Sequence, residues 1–206
     1  MKFLEKGILI FLVFFLTVVI LTVPLRLLIF NQSYYSLQFE RNNVDVEDKE
    51  LIVANILAFF NGREQLNYFD ENEQFHMNDV KQLLNKFFLA LNLSLVLSFV
   101  LLASLFFIDK KTFVDNFLKV LFLSGLCSFV VILLLLLTLF NFSTTFDGFH
   151  KLFFSQGNYS FSPSSLLISL FSENFFKSFF LKIVFNSLIL SIIFMTPQLV
   201  LNRIKK

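Results

Sequence analysis

Residues Gly7 to Phe30 read GILIFLVFFLTVVILTVPLRLLIF, an apolar run that carries one charge, at Arg26. About 20 consecutive apolar residues are enough for a helix to cross the hydrocarbon core of a bilayer. Three later runs have a similar length and character: Phe87 to Ile108, Val120 to Phe140, and Phe179 to Leu201. The sequence therefore predicts four transmembrane helices, with spans at about 7–30, 87–108, 120–140 and 179–201.

The composition of the whole chain supports this interpretation. Of its 206 residues, 56% are hydrophobic and 16% are charged, and the mean hydropathy is +0.75. An ordinary soluble domain has fewer apolar and more charged residues. The net charge of +2 offers no basic face to nucleic acid, and the one cysteine, Cys127, excludes a disulfide framework. We expect a single membrane domain, residues 1–206, with no nucleic-acid partner and no cofactor.

Basic residues are concentrated in the two tails and in the turn between the second and third spans. They are Lys2, Lys6, Lys110, Lys111, Lys119, Arg203, Lys205 and Lys206, against only Glu5, Asp109 and Asp115. An excess of positive charge marks the cytoplasmic side of a membrane protein. This rule predicts that both termini are cytoplasmic and that segments 31–86 and 141–178 are extracytoplasmic.

The first extracytoplasmic segment is long enough to fold. Asp45 or Asp48 is expected to cap a helix that runs from Leu51 to Phe60, and Gly62 to end it in a left-handed conformation. One apolar face of this helix should rest on the membrane surface or on the second segment. From Arg63 to Phe75 the pattern predicts turns and short strands, after which Asn78 starts a helix that continues into the second span.

The second extracytoplasmic segment is expected to have a turn at Ser155 to Asn158, followed by an alternating stretch through Tyr159 and Phe161. The apolar run from Leu166 to Phe171 is too short to cross the bilayer and is predicted to lie at the membrane interface or to re-enter the bilayer slightly. The predicted fold is an all-α polytopic membrane protein with four transmembrane helices and a small mixed α/β extracytoplasmic cap.

The only two histidines, His76 and His150, lie one in each extracytoplasmic segment. Imidazole is suited to proton transfer near neutral pH, so packing of the two segments could create a catalytic pair. Two unrelated surface histidines are the alternative. A metal site is a third interpretation, although the HExxH motif is absent.

Two carboxylates, Glu73 and Asp79, lie three residues to either side of His76. In a helical turn both are neighbours of the imidazole, so either could orient the ring or raise its basicity. A solvated acidic cluster explains the same pattern without any catalytic role.

Two further residues in the spans bear on the chemistry. Cys127 is predicted near the middle of the third span as a small buried residue, and the GxSxG motif is absent, so a covalent acyl-enzyme is not expected. Arg26 is predicted at the outer end of the first span, where it could snorkel or meet a lipid headgroup.

Two strings in the extracytoplasmic segments are similar to those of one known family. The first comprises NGREQL at Asn61 to Leu66 and EQFHMNDVK at Glu73 to Lys81. The second comprises FHKLFF at Phe149 to Phe154, followed by Pro163, Ile168 and Glu173 to Phe176. With the four spans, these strings resemble the lipoprotein intramolecular transacylase (Lit) family of bacterial membrane proteins.

The resemblance implies an acyltransferase at the outer face of the bacterial cytoplasmic membrane. Members of the family move the sn-2 acyl chain of a lipoprotein's diacylglyceryl group onto the α-amino group of the same N-terminal cysteine, which gives a lyso-form lipoprotein. Diacylated lipoproteins and membrane lipid are the implied partners.

The family's two histidines correspond to His76 and His150. We expect His150 to be the general base, and His76, oriented by Glu73 or Asp79, to polarise the oxyanion or protonate the leaving alkoxide; the sequence does not distinguish this assignment from its reverse. The residues expected to support them are Asn61, Glu73, Asp79, Lys81, Phe149 and Tyr159.

This chain departs from the family pattern near the second histidine. It has Gln156, Gly157 and Tyr159 where the family usually has Asn-Asp and then Trp, and Ser162 and Leu166 at acidic positions. These departures are expected to bear on rate and substrate preference.

A non-catalytic membrane accessory or lipid-binding protein, with an extracytoplasmic docking face, is the competing hypothesis for function. Such a protein does not need its two histidines at one site, whereas acid–base catalysis by a pair does. The distance between the imidazoles therefore discriminates between the two hypotheses.

Overall fold

The computed structural model describes residues 3–154, 157 and 159–204. In chain order the helices are α1 (Phe3–Ile29), α2 (Gln32–Arg41), α3 (Lys49–Phe60), α4 (Glu71–Ile108), α5 (Phe113–Leu137), α6 (Phe142–Phe153), α7 (Leu166–Leu170) and α8 (Glu173–Ile204), with a 3₁₀ turn at Thr138–Asn141. The described residues contain no strand. The expected mixed α/β cap is therefore wrong, and the described residues of segments 31–86 and 141–178 form helices and irregular chain.

The expected strands between Arg63 and Phe75 are replaced by turns and by an early start of α4. Asp70 Oδ1 accepts a hydrogen bond from the Glu73 N–H at 2.8 Å, and Glu73 Oε2 accepts one from the Asp70 N–H at 3.1 Å. This reciprocal capping satisfies two of the N–H groups that a helix start leaves unpaired. The helix consequently begins at Glu71, two turns before the predicted start at Asn78.

Four helical stretches are long and apolar enough to cross a bilayer, as predicted: Phe3–Ile29, Glu71–Ile108, Phe113–Phe153 and Glu173–Ile204. They extend beyond the apolar runs, so the predicted limits of the spans stay predictions. We take residues 87–108 as the spanning part of α4, since at 1.5 Å per residue they cover about 33 Å. The preceding part of α4 carries five charged residues and lies outside that span.

The chain divides into two compact units. The first, which we call the span unit, contains residues 1–25, 87–137 and 183–206. The second, the cap unit, contains residues 26–86 and 138–182. Both histidines belong to the cap unit.

The span unit has an aliphatic core made of side chains from three helices: Ile8, Leu12 and Leu16 of α1, Leu105 of α4 and Val120 of α5. The serine hydroxyls buried on α5 are satisfied within their own helix. Ser124 donates to the Val120 carbonyl and Ser128 to the Ser124 carbonyl, each at 2.8 Å. These hydroxyls need no partner on another helix, and a serine side chain is small. Neighbouring helix backbones can therefore approach closely at these positions.

Gly125 marks the closest of these approaches. A Cβ atom at this position would lie 2.6 Å from the Ser191 carbonyl oxygen and 2.7 Å from Met195 Cγ. We therefore expect Gly125→Ala to destabilise the protein by about 1–3 kcal/mol through overpacking, although alanine has the higher helix propensity by about 1 kcal/mol. Thermal unfolding in detergent measures the effect.

Gly7→Ala is the matched control, because Gly7 lies in helix α1 of the same unit and a Cβ there meets nothing within 4 Å. Its melting temperature should equal or exceed that of the wild type. Equal melting temperatures for the two variants would contradict the close approach at Gly125.

The cap unit has a separate core, to which residues of both segment 31–86 and segment 141–178 contribute. Its buried members are Tyr35, Phe39, Ile52, Val53, Ile56, Leu66, Phe69, Met77, Leu167, Leu170 and Phe175. Helix α2, which the sequence analysis did not predict, supplies the first two. The apolar face of α3 packs in the same core as residues of the second segment, which is one of the two positions expected for it.

The predicted C-terminus of α3 is confirmed. Gly62 has φ +73°, the left-handed conformation that glycine adopts without steric cost. Its N–H donates to the Phe59 carbonyl and the Arg63 N–H donates to the Ala58 carbonyl, both at 2.9 Å. This is the Schellman pattern. At the other end Asp48 is the N-cap residue, but its side chain does not accept a capping hydrogen bond.

The apolar run at Leu166 to Phe171 forms helix α7 and joins the core of the cap unit. Leu167 and Leu170 are buried there, so these two side chains pack against protein. Ile168 of the same helix is exposed, and the position of the run at the membrane interface stays a prediction.

Candidate functional site

His76 is presented by the first turns of α4. Its helix begins at the Asp70 and Glu73 cap, one turn before the imidazole. The His76 side chain is 8% exposed. Its Nδ1 atom is buried and has no hydrogen-bond partner within the part of the chain that the structure describes. A buried imidazole nitrogen without a partner is uncommon in a residue that serves packing alone.

His150 is presented by α6, a short helix that Asn141 starts by accepting a hydrogen bond from the Thr144 N–H at 3.3 Å. His150 Nδ1 lies 2.8 Å from the Phe146 carbonyl oxygen, one turn earlier on the same helix. A carbonyl oxygen only accepts, so the proton of this hydrogen bond must be on Nδ1. In the neutral ring, Nε2 therefore carries the lone pair.

The two imidazoles lie together, although 73 residues separate them in the sequence. Their ring centroids are 6.1 Å apart and their planes are inclined by 19°. The fold thus meets the geometric requirement that distinguishes a catalytic pair from two unrelated surface histidines.

Aromatic side chains surround the pair. Phe154 and Phe161 meet His76 edge-on, with centroids at 4.9 Å and 5.4 Å. On the other side, Phe146 lies 4.3 Å and Tyr159 5.3 Å from the His150 centroid. His76 is buried among these rings, whereas His150 is partly exposed. Removal from water strengthens electrostatic interactions with a reacting group.

The pKa of His76 is lowered to about 4 from the ordinary value of 6.5. Burial is the largest cause and the electrostatic effect of His150 acts in the same direction, while Asp79 acts in the opposite direction and is outweighed. Asp79 raises the pKa of His76, as expected of one of the two carboxylates, but desolvation of the cation is the larger effect and the net shift is downward. At neutral pH His76 is uncharged and can donate one N–H.

This lowered pKa predicts a loss of stability in acid. The unfolded chain binds a proton on His76 below about pH 6.5, whereas the folded chain does so only near pH 4. Between these values the unfolded state holds more protons, so the free energy of unfolding should fall with decreasing pH, by about 2–3 kcal/mol in all.

Unfolding in detergent at pH values from 4 to 7.5 measures this loss. A His76→Gln variant, which has no titrating group there, should lose about 2–3 kcal/mol less than the wild type over that range. The same pH dependence in both proteins would contradict the assignment to His76.

Glu73 does not contact His76 as expected, because its carboxylate is engaged elsewhere. Besides the Asp70 N–H, it accepts the Leu167 N–H at 3.0 Å through Oε1, and the side chain is only 2% exposed. It thereby joins the start of α4 to α7, 94 residues further along the chain. The sequence signal for its local role was the spacing Asp70-x-x-Glu73, which fits a capping box and was overlooked.

The other residues expected to support the histidines are only partly brought to them. Phe149 and Tyr159 contact the His150 ring, at 5.8 Å and 5.3 Å between centroids. Asn61 is exposed and donates to the Leu57 carbonyl on its own helix. The Lys81 ammonium lies 4.1 Å above the Phe59 ring.

Sequence reasoning missed three aromatic residues of the site: Phe146, Phe154 and Phe161. For Phe146 the available signal was its position four residues before His150, which places both on one face of a helix. The other two lie in irregular chain, where no periodicity indicates which way a side chain points.

The structure describes some of the residues near the second histidine that depart from the family pattern. Gly157 has φ +77° and its N–H donates to the Phe154 carbonyl at 3.1 Å, as in a turn. Ser162 is exposed and accepts from the Ser164 N–H, while Leu166 is the first residue of α7. Gln156, Ser155 and Asn158 of the predicted turn lie outside the described residues.

Arg26 and Cys127 are the two residues that were predicted in the spans and that bear on the chemistry. Arg26 is exposed in the last turn of α1, and its contact with a lipid headgroup stays a prediction. Cys127 is exposed on α5, so the expectation that it is buried is wrong. Among the described residues, no group of three or more His, Cys, Asp and Glu side chains is arranged to hold a metal ion.

Comparison with known proteins gives one family match. The family model described as lipoprotein intramolecular transacylase Lit matches residues 6–176 of this chain. No curated protein matches it.

Solved structures of the membrane-integral lipoprotein intramolecular transacylase Lit from Bacillus cereus are similar. One has 19% sequence identity and a TM-score of 0.85, and the alignment covers 98% of this chain and 97% of that chain. Two variants with a histidine replaced, by arginine and by alanine, have the same identity, TM-scores of 0.75 and 0.76, and coverage of 98% of this chain and 93% and 95% of theirs. At this identity the likeness establishes the fold alone.

Proposed function

This chain belongs to the lipoprotein intramolecular transacylase family, and from that premise we propose the reaction, the residues that perform it and the side of the membrane where it takes place. The family membership makes the protein a membrane-integral acyltransferase of lipoproteins. In the proposed reaction the sn-2 acyl chain of a diacylglyceryl lipoprotein moves to the α-amino group of its own N-terminal cysteine. The product is a lyso-form lipoprotein.

The observation that carries this proposal is the stacking of His76 and His150 at 6.1 Å within an aromatic surround. Nucleophile and ester belong to one substrate molecule, so the enzyme has to supply proximity, a base and a partner for the oxyanion. Two imidazoles at one site can provide the last two without a nucleophile from the protein.

His150 is the general base. Because its Nδ1–H donates to the Phe146 carbonyl, the free lone pair is on Nε2, and the hydrogen bond holds the ring in this tautomer. Nε2 takes a proton from the cysteine amine as its nitrogen attacks the ester carbonyl.

His76 is the neutral hydrogen-bond donor to the oxyanion. Its low pKa keeps the ring uncharged at neutral pH, and we place its proton on Nε2, so that the buried Nδ1 is an unpaired acceptor and not an unpaired donor. The N–H of a neutral imidazole can stabilise developing negative charge on a carbonyl oxygen. The hydrogen bond from His76 to the oxyanion is stronger where the donor is buried among aromatic rings.

Bonds and protons balance over the two steps. The amine nitrogen forms the new amide bond to the acyl carbon, and the bond from that carbon to the sn-2 glyceryl oxygen breaks. The proton taken up by His150 passes to the leaving glyceryl oxygen as it becomes a hydroxyl. No acyl-enzyme forms, so Cys127 has no part in the reaction.

Mass spectrometry of a lipoprotein's N-terminal peptide tests the proposal. In a bacterial host that lacks the lyso-form, production of this protein should move one acyl chain from glyceryl ester to cysteine amide, with no change in the total number of acyl chains. A lipoprotein pool that stays diacylated on the glyceryl group, while the protein is present in the membrane, would remove the proposed reaction.

The site is proposed to face the extracytoplasmic side of the cytoplasmic membrane, with both termini in the cytoplasm. The support is the concentration of basic residues in the tails and in the turn between α4 and α5. This orientation places the histidine pair where exported lipoproteins expose their N-terminal cysteine.

Thiol labelling in intact cells tests the orientation. In a Cys127→Ala background, Asn67→Cys and Ser160→Cys should react with a membrane-impermeant maleimide, and Thr112→Cys should react only after the cells are opened. All three positions are exposed. In the proposed orientation the first two face the outside and Thr112 faces the cytoplasm. Labelling of Thr112→Cys alone in intact cells would reverse the orientation.

A further inference from the structure

A concave site that does not include the histidines lies in the cap unit, on another face of α4 from His76. It is a cavity of about 410 Å³, open to solvent. One wall is formed by Glu71, Gln74, Phe75 and Asn78 of α4, and the other by Phe59, Gln65 and Leu66. The four α4 residues follow the spacing i, i+3, i+4, i+7, so they share one side of the helix. We call this cavity the amide groove.

Three primary amides, those of Gln65, Gln74 and Asn78, give the groove its chemistry. A primary amide offers both a donor NH₂ group and an acceptor oxygen. Gln74 Nε2 donates to the Phe69 carbonyl at 2.8 Å, which holds this side chain in place with its oxygen as an acceptor. Gln65 and Asn78 are exposed in the groove, so they can bond to a ligand.

The apolar part of the groove consists mainly of two rings. Phe75 is 58% exposed, although it is a large apolar residue on a helix that is otherwise polar at this point. The Lys81 ammonium lies 4.1 Å from the centroid of the Phe59 ring, a cation–π contact that restrains the ring. A ligand of the groove should therefore combine hydrogen-bonding groups with some apolar surface.

An extended polypeptide fits this combination. Its backbone presents one N–H and one C=O per residue, which match the donors and acceptors of primary amides. An acyl chain would bury the amides without partners, at a cost in free energy. A phosphate group would meet the Glu71 carboxylate, which repels it.

The groove adjoins His76 along helix α4. Phe75 of the groove directly precedes His76, so their Cα atoms are about 3.8 Å apart and their side chains leave the helix about 100° from each other. An extended chain covers about 3.3 Å per residue. A polypeptide whose first residue is held at the imidazoles can therefore reach the groove within a few residues.

We propose that the amide groove binds the polypeptide backbone that follows the lipid-bearing cysteine of the substrate. This proposal rests on the proposed function. The reaction itself involves only the cysteine and its lipid. Hydrogen bonds to the backbone can hold the residues after the cysteine whatever their side chains are. Holding the chain there restricts the cysteine amine and thereby helps to bring it to the ester.

Two synthetic substrates test the groove in the purified, detergent-solubilised protein. One is diacylglyceryl cysteine amide, and the other is a diacylglyceryl cysteinyl pentapeptide with the same lipid. With two or more backbone hydrogen bonds, the wild-type protein should have a kcat/KM about tenfold higher for the pentapeptide.

The double variant Gln65→Leu, Asn78→Leu removes two of the amides. It should lose this tenfold preference and keep the wild-type kcat/KM for the cysteine amide. Asn72→Leu is the matched control, since Asn72 is an exposed asparagine on α4 that does not line the groove. It should behave as the wild type with both substrates, and all three proteins should have similar melting temperatures.

The outcomes separate the two proposals. If the wild-type protein converts neither substrate, the proposed reaction fails and the groove proposal fails with it. If the wild-type protein converts both substrates equally well, or the double variant retains the preference for the pentapeptide, the groove proposal is overturned while the reaction stands. An equal loss on both substrates in the double variant also overturns it, because the amides would then serve the cysteine or its lipid.

Discussion

Replacing His150 with alanine is expected to lower the rate of acyl transfer by about 10² to 10⁴-fold, the contribution typical of a general base. The reason is the orientation of the ring, whose Nδ1 is fixed 2.8 Å from the Phe146 carbonyl and whose Nε2 is left to take the amine proton. The measurement is the conversion of diacylated to lyso-form lipopeptide by mass spectrometry, at matched membrane levels of the two proteins.

The identity of the group at position 150 provides a second check. Glutamine can form hydrogen bonds but cannot accept a proton near neutral pH, so His150→Gln should be as inactive as His150→Ala. Lys151→Ala is the control, because Lys151 is exposed on the same helix one residue further on, and it should retain wild-type activity. Full conversion by His150→Ala would show that another group is the base.

Replacing His76 with alanine is expected to lower the rate by about 10² to 10³-fold, the usual effect of removing an oxyanion donor. Here glutamine should behave differently from alanine, since its side-chain NH₂ can take the place of the Nε2–H. We expect His76→Gln to be about tenfold more active than His76→Ala, whereas the same pair of substitutions at His150 should show no such difference. The same mass-spectrometric assay measures all four variants.

The double variant His76→Ala, His150→Ala tests whether the two rings act together. Independent contributions would multiply, to a loss of about 10⁴ to 10⁷-fold, whereas residues that serve one transition state are strongly non-additive. The stacking of the rings at 6.1 Å favours a loss close to that of the worse single variant. A multiplied loss would contradict joint action, and rescue by glutamine at His150 instead of His76 would reverse the assignment of base and donor.

The burial of His76 also determines how the rate should be interpreted at different pH values. Because the pKa of His76 is lowered to about 4, this ring stays uncharged at the pH values where most bacteria live. Any loss of rate between pH 5 and 7 therefore reports a group other than the oxyanion donor. The loss of stability predicted for His76 begins below about pH 6.5, so melting temperatures at each pH are needed beside the rates.

The sequence predicted the two central residues of the candidate site, and it predicted their surroundings less well. His76 and His150 are the only histidines, and the strings around them resemble one family, so the pair was available from the sequence. The role of Glu73 and the small size of the Asp79 effect were not. Spacing along a helix places both near His76, but the Glu73 carboxylate bonds to the backbone of α7, and the electrostatic effect of Asp79 is smaller than that of burial.

The sequence by itself determined the four spanning helices and the left-handed end of α3. A helix crosses a bilayer when a local run of apolar residues is long enough, because every backbone polar group is then satisfied within the helix. The conformation at Gly62 likewise depends on one residue without a Cβ atom at the end of a helix. Both features are decided over a few turns of chain, where the sequence pattern is read directly.

Only the tertiary structure decided that the cap unit contains no strand among the described residues, that Leu167 and Leu170 lie in its core, and that His76 is buried beside His150. A strand needs a partner strand, and a buried ring needs neighbours, which here come from residues roughly 75 to 95 positions away along the chain. The lowered pKa of His76 and the lone pair on Nε2 of His150 follow from those neighbours and from a hydrogen bond. The energy of desolvating a charge depends on what surrounds it in space, and no local pattern of residues specifies this.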